Sequence, residues 1–174
     1  MPKGNTMIAL KRILCPHDFS ETSAEAVRYA IALARNFGSR LYFLHVGRNA
    51  VNQFEVEFPI GLEDALEDGV RERLLRIVTP LEKAELSPEF AVRDGAPAPE
   101  IVRYAVDEDI DLIVMGTHGR GFVGHMMMGS VAEKVVRSAP CPVLTVRNAN
   151  HGFVLTDAVI QPATKSVDLR PTQR

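Results

Sequence analysis

Short apolar runs alternate along this chain with longer segments whose apolar positions recur every three to four residues. The runs cover residues 8–15, 41–46, 88–93, 110–115 and 142–146, the third being the weakest. Runs of that length, bounded by Gly, Pro and Asp, predict strands. Between the first two, residues 20–37 place Val27, Ile31 and Ala34 on one helical face. Thr22 and Glu25 have the spacing of a capping box, and Gly38 supplies a stop. Residues 63–84 predict one charged helix with Leu66, Val70, Leu74, Ile77 and Leu81 as its apolar stripe. Shorter helices are expected at 97–106 and 130–138, and a loop at 48–61, where Asn49, Asn52, Pro59 and Gly61 fall. Strand and helix thus alternate β-α-β-α-β-α-β-α-β. That order predicts an α/β fold, a doubly wound five-stranded parallel sheet with helices on both faces.

Composition narrows the class. The chain has 174 residues, 46% of them apolar and 24% charged, as in an ordinary globular domain. Twenty Lys+Arg against 22 Asp+Glu leave a net charge of -2, which argues against electrostatically driven nucleic-acid binding. No apolar run approaches the ~20 residues of a membrane span, and the first residues carry no signal-peptide pattern. The expectation is a cytoplasmic protein that binds neither nucleic acid nor membrane. Cys15 and Cys141, far apart and outside any Cys-x-x-Cys, read as small buried hydrophobes in a reducing compartment. The periodic pattern stops near Arg147, dividing the chain into a domain, 1–147, and a C-terminal extension, 148–174. The extension has one apolar island, residues 153–160, suited to a mobile tail, an added edge strand or a clasp on a partner.

In a doubly wound sheet, ligands bind beyond the carboxyl ends of the strands where strand order reverses. One such end, after the fourth strand, carries Gly116, Gly119, Gly121, Gly124 and Gly129 before a helix opens at Ser130. Backbone amides in such a loop, together with a helix N-terminus, attract an anion, and glycine lets phosphate oxygens approach. A Walker A loop is excluded, because Phe122 and Val123 follow Gly121 where Lys and Ser/Thr are required. Gly119, Gly121 and Gly124 match Gly-x-Gly-x-x-Gly, but after the fourth strand rather than the first and with no acidic residue ending the next strand. That match reads as chance.

A third spacing fits better. Gly116-x2-Gly119-x9-Gly129-Ser130 resembles the ATP-binding signature of the universal stress protein family. Pro16-His17-Asp18-Phe19-Ser20 is similar to that family's Pro-x-Asp-x-Ser. Leu44-His45-Val46 resembles the end of its second strand, Asp94-Gly95-Ala96-Pro97 the turn after its third, and the stretch from Ala139 to Val143 the entry to its fifth. The resemblance covers residues 8–147 and implies the strand order 3-2-1-4-5. It implies that Pro16 and Asp18 lie at the adenosine and that the backbone of Val46 bonds adenine. Met115 and Gly116 would flank the nucleoside. Gly119, Gly129, Ser130 and Val131 would line the phosphates, Arg120 fills a position often basic in the family, and the cofactor would be ATP with Mg2+ or Mn2+. It further implies a homodimer through the last strand, opened by Pro142 and ending at Val146.

Each residue also has an ordinary reading. Asp18 has the position of a helix cap, but Ser20 and Thr22 are equally good caps, which leaves Asp18 for a ligand. Ser130 and Glu133 form a capping box of their own, so the Ser130 amide is a better phosphate donor than its hydroxyl. His17, His118 and His125 lack any zinc-site spacing and read as surface or loop histidines. Met126, Met127 and Met128 read as core filling or helix entry. No catalytic or metal-ligating set is legible, so the expected function is a nucleotide-responsive regulatory module in the stress response rather than a dedicated enzyme. The rivals are a slow ATPase or phosphotransferase, a dimeric interaction protein without nucleotide, and a small NAD-dependent oxidoreductase.

Overall fold

The computed structural model describes residues 8–47, 62–117 and 128–147. In chain order these form β1 (Arg12–Pro16), α1 (Glu21–Phe37), β2 (Arg40–Gly47), α2 (Leu62–Leu75), α3 (Pro80–Leu86), β3 (Glu89–Asp94), α4 (Pro97–Asp107), β4 (Leu112–Gly116), α5 (Ser130–Ser138) and β5 (Val143–Val146). The five strands make one sheet in the order β3-β2-β1-β4-β5, with every pair parallel. The expected fold class and strand order are therefore those observed.

The order follows from handedness. Right-handed crossovers running β1→β2→β3 put α1, α2 and α3 on one face, and the reversal at β4 puts α4 and α5 on the other. The burial pattern agrees. Ile13, Cys15, Phe43 and Val114 pack with Ala26, Ala30 and Ala34 of α1 and Leu74 of α2. Leu14, Tyr42, Leu44, Ile113 and Met115 face Ile101 and Tyr104 of α4 and Val135 of α5. Successive strand residues alternate between the two faces, so β1 is buried on both sides.

Three local expectations are corrected. The helix expected at 63–84 is two helices, because Pro80 has no amide to donate and its ring clashes with the preceding turn. Thr79 turns that break into a start: its hydroxyl accepts from the Glu82 amide at 3.3 Å, and the Glu82 carboxylate accepts from the Thr79 amide at 2.8 Å. The stripe ends with the break. Leu74 is fully buried, whereas Leu81 is 75% exposed. Helix α3 buries no residue fully; its Leu86 packs partly against this core, and the two-pronged Arg35–Glu85 pair ties the helix to α1.

The second correction concerns the start of α1. The cap is Ser20, whose Oγ accepts from the Ser23 amide, and not the expected box at Thr22 and Glu25. The third concerns the cysteines. Cys15 is buried, and burial pushes its thiol pKa up, but Cys141 is only half-buried. Both are free. The loop expected at 48–61 and the extension at 148–174 lie outside the described residues.

Candidate functional site

The site begins where β1 ends. Pro16 pairs with Leu44, and the next amide, His17 N–H, donates to the Leu44 carbonyl at 2.8 Å. In a strand the N–H and C=O of one residue point to the same neighbour, and successive residues alternate. Leu44 therefore faces β1, Gly47 faces β3 (its carbonyl accepts from the Gly95 amide at 3.0 Å), and Val46 faces the β1 side again. By that point β1 has ended. The backbone donor and acceptor of Val46 are thus aimed over the end of β1, beside Pro16.

The turn that follows carries Asp18. Its Oδ1 accepts from the Ser20 amide at 3.0 Å and from the Ser20 hydroxyl at 2.6 Å. Asp18 orders the cap residue, and that cap in turn serves the Ser23 amide at 3.2 Å. Burial works against the ionised carboxylate. The Ser20 hydroxyl and amide, the Ser23 side chain and His17 outweigh it, and Asp18 titrates below its ordinary value. Because the folded pKa is depressed, the carboxylate stabilises the fold at neutral pH, and this stabilisation disappears as pH falls through the folded pKa. The stability difference between wild type and Asp18→Asn should therefore shrink on acidification below the ordinary carboxylate value of 3.8. Urea titrations across that range measure it, and a difference that stays constant would refute the role.

The sequence reads His17 as a surface or loop histidine; it lies in the loop after β1, yet it is only 6% exposed. Its Nδ1 accepts from the Phe19 amide at 3.0 Å, which leaves any proton of the neutral ring on Nε2. His45 is turned the other way, its Nδ1 donating to the His17 carbonyl at 2.7 Å. Among the described residues no group of His, Cys, Asp and Glu could hold a metal ion.

The other half of the site lies at the end of β4. Met115 is buried on the α4/α5 face. Gly116 lies against the first turn of α1: a Cβ there would be 2.8 Å from both the carbonyl carbon and Oγ1 of Thr22. Beyond it the Thr117 amide donates to the Val146 carbonyl at 2.8 Å, and the Thr117 carbonyl accepts from the Gly129 amide at 2.6 Å. The chain therefore leaves β4 and enters α5 at one hydrogen-bonded point.

The cap of α5 is Gly129, in extended backbone with φ -69° and ψ 149°, and not the Ser130 box expected from the sequence. Ser130 is the first helical residue and is exposed; Val131 is half-buried against the α4/α5 face. No side chain caps this helix among the described residues. The Glu133 amide is the first to bond back, to the Gly129 carbonyl at 2.9 Å. The amides of Ser130, Val131 and Ala132 precede it, so they are the donors a helix start leaves for an external acceptor.

Pro16, Asp18, Val46, Met115, Gly116, Gly129, Ser130 and Val131 thus all fall at the carboxyl ends of β1, β2 and β4, around the reversal of strand order. Gly119 and Arg120 lie outside the described residues, as do His118, His125, Met126 and Met127. Two features had no signal in the sequence. One is the contact between Gly116 and Thr22. The other is a stack of the Arg73 guanidinium on Phe19, 4.2 Å from the ring centroid.

Comparison with known proteins agrees with this geometry. Residues 9–147 match the universal stress protein family. The chain is 30% identical over 159 residues to universal stress protein MJ0577 of Methanocaldococcus jannaschii, covering 82% of this chain and 98% of that one. The solved structure of MJ0577 superposes with a TM-score of 0.68 at 31% identity, over 83% of this chain and all of its own. The fold is shared with a universal stress protein from Archaeoglobus fulgidus in complex with dAMP (TM-score 0.52, 21% identity, 80% of this chain and 99% of that one). A universal stress protein in complex with cAMP shares it too (TM-score 0.58, 22% identity, 82% and 100%). No described helix is long and apolar enough to cross a membrane. From the strand order, the geometry at the strand ends and the family match over most of its length, the chain belongs to the universal stress protein family.

Proposed function

We propose that this protein binds ATP, with Mg2+ or Mn2+ carried on the triphosphate, and acts as a nucleotide-responsive regulatory module. The observation that carries the reading is the pairing of two backbone features across the sheet reversal. Val46 aims a donor and an acceptor past the end of β1, suited to the edge of a base. The start of α5, which no described side chain caps, offers amides to phosphate oxygens at a glycine, where no Cβ stands in the way. Pro16 and Met115 supply apolar surface for the nucleoside, and Asp18 supplies a carboxylate beside it. Gly119, Gly129, Ser130 and Val131 line the phosphates, with Arg120 as a cationic contact. Family members in complex with dAMP and cAMP support an adenine nucleotide as the ligand class.

The same reading makes residues 1–147 the nucleotide-binding domain and 148–174 an accessory extension. It also gives a cytoplasmic homodimer joined through β5, which ends the sheet on one side and whose Val143, Leu144 and Thr145 are only half-buried. An edge strand of this kind is a ready surface for a second copy.

Ligation should be visible as stability. A ligand at a hundredfold excess over Kd stabilises the folded state by about 2.7 kcal/mol, which for a chain of this size raises Tm by roughly 5–10 °C. Thermal shift and calorimetry with Mg-ATP provide the measurement. No shift and no heat at millimolar Mg-ATP would overturn the proposal. A shift with NAD but not with ATP would point to the oxidoreductase reading instead.

A further inference from the structure

Beside the nucleotide crevice, at the carboxyl end of β1 and on the α1/α2 face, lies a cavity of about 260 Å3. The residues that matter to it are His17, Phe19 and Ser20 at the start of α1 and Arg73, Arg76 and Ile77 of α2. The two arginines are three apart on one helix, so both reach the same side.

Their partners differ. Arg76 bonds Glu72 at 3.1 Å on the exposed rim. Arg73 makes no hydrogen bond or ion pair among the described residues and lies over the Phe19 ring at 4.2 Å. Stacking holds a guanidinium through its face and leaves its N–H donors, which radiate in the plane, for a planar or tetrahedral oxyanion.

The platform under Arg73 is itself held at a cost. Phe19 has φ 63°, in the left-handed region that a bulky side chain rarely adopts. Its amide bond to His17 Nδ1 keeps it there, with the His17 and His45 rings packed on it at centroid distances of 5.1 and 4.7 Å. Such backbone outliers persist where the surroundings over-determine them, and they cluster at ligand clamps. The N-terminus of the 17-residue α1 adds its positive end at Ser20. Among the described residues, the nearby carboxylates are already engaged or exposed. Asp18 bonds Ser20, Glu72 bonds Arg76, and Glu21 lies at the surface.

We propose that this cavity binds a compact oxyanion, the phosphate or carboxylate group of a small metabolite, between Arg73 and Arg76. Its volume lies below the roughly 300–1,000 Å3 of pockets for larger ligands, which suits a small metabolite rather than a nucleoside triphosphate. The site is independent of the nucleotide reading, although His17 and Phe19 belong to the same turn as Asp18.

The test is a titration of the 15N-labelled full chain with inorganic phosphate and, separately, with citrate, followed by NMR. Saturable shifts are expected at the amides of residues 19–24 and at the Nε of Arg73 and Arg76, and the tighter probe identifies which oxyanion is preferred. Arg73→Gln with Arg76→Gln should weaken binding at least about tenfold, the loss expected for two charge-assisted contacts. Arg103→Gln, on the opposite face, should leave it unchanged. Because all three side chains are exposed, the variants should keep the wild-type amide spectrum. Three outcomes would overturn the proposal: no saturation by either probe up to roughly 50 mM, shifts confined to the start of α5, or unchanged affinity in the double variant.

Discussion

Gly116→Ala should destabilise the fold by about 3 kcal/mol, at the upper end of the cost of overpacking a tightly packed position. The reason is local. An alanine Cβ would be 2.8 Å from the Thr22 carbonyl carbon, 2.8 Å from its Oγ1 and 2.9 Å from its carbonyl oxygen. Two of these three atoms are backbone of the first turn of α1, so no rotamer change clears them. That turn is held by the Ser20 cap and the Asp18 bonds, which a retreating helix would have to break. In a chain of this length the loss corresponds to a fall in Tm of roughly 10 °C. Chemical denaturation of the apo protein is the cleaner measurement, because no nucleotide is needed to see the effect. Adding Thr22→Ala removes only Oγ1 and should restore a minor part of the loss. Full rescue by Thr22→Ala, or an unchanged midpoint in Gly116→Ala alone, would show that β4 and α1 do not approach this closely.

The Gly116 contact also shows what kind of information the sequence carried. Its glycine was visible as part of a phosphate-like spacing, whereas its contact with Thr22 joins positions 94 residues apart and is created only by the tertiary fold. The strands were legible because β1 and β4 are buried on both faces, which leaves a continuous apolar run. The order 3-2-1-4-5 was not in the periodicity at all; it entered through the family resemblance, and the handedness of parallel crossovers explains it. Helix starts were the weakest part of the reading. Ser20, Thr22 and Asp18 are all good caps, and only the backbone geometry shows that Ser20 takes the role while Asp18 bonds Ser20 itself. At α5 the box formed by Ser130 and Glu133 is one residue too late, because the bond from the Gly129 amide to Thr117 fixes the helix start at Gly129. The break at Pro80 was legible, since a proline cannot sit inside a helix without losing a bond. The leucine spacing ran across it and concealed it.

Gly129→Val should abolish nucleotide binding while leaving the fold intact. The fold is tolerant here because Gly129 already sits at φ -69° and ψ 149°, extended backbone that a β-branched residue adopts readily. Its amide bond to Thr117 uses no side chain, so valine keeps it. Poorer capping by valine costs about 1 kcal/mol. Binding is different under the proposed placement of the phosphates, because a branched side chain at the cap stands before the amides of Ser130 and Val131. Losing two bonds from a charged ligand, at roughly 1.5–3 kcal/mol each, weakens affinity by a factor of about 100 or more. Ser130→Ala should change affinity little, since its hydroxyl is not the cap and its amide is unaffected. Gly129→Ser separates the two effects more sharply. A serine at this position is a strong cap, so it should strengthen α5 slightly while its hydroxyl competes with phosphate for the same amides. Calorimetry with Mg-ATP on the three variants, alongside their urea midpoints, reads both quantities. Wild-type affinity in Gly129→Val, with binding otherwise intact, would move the phosphates away from the start of α5.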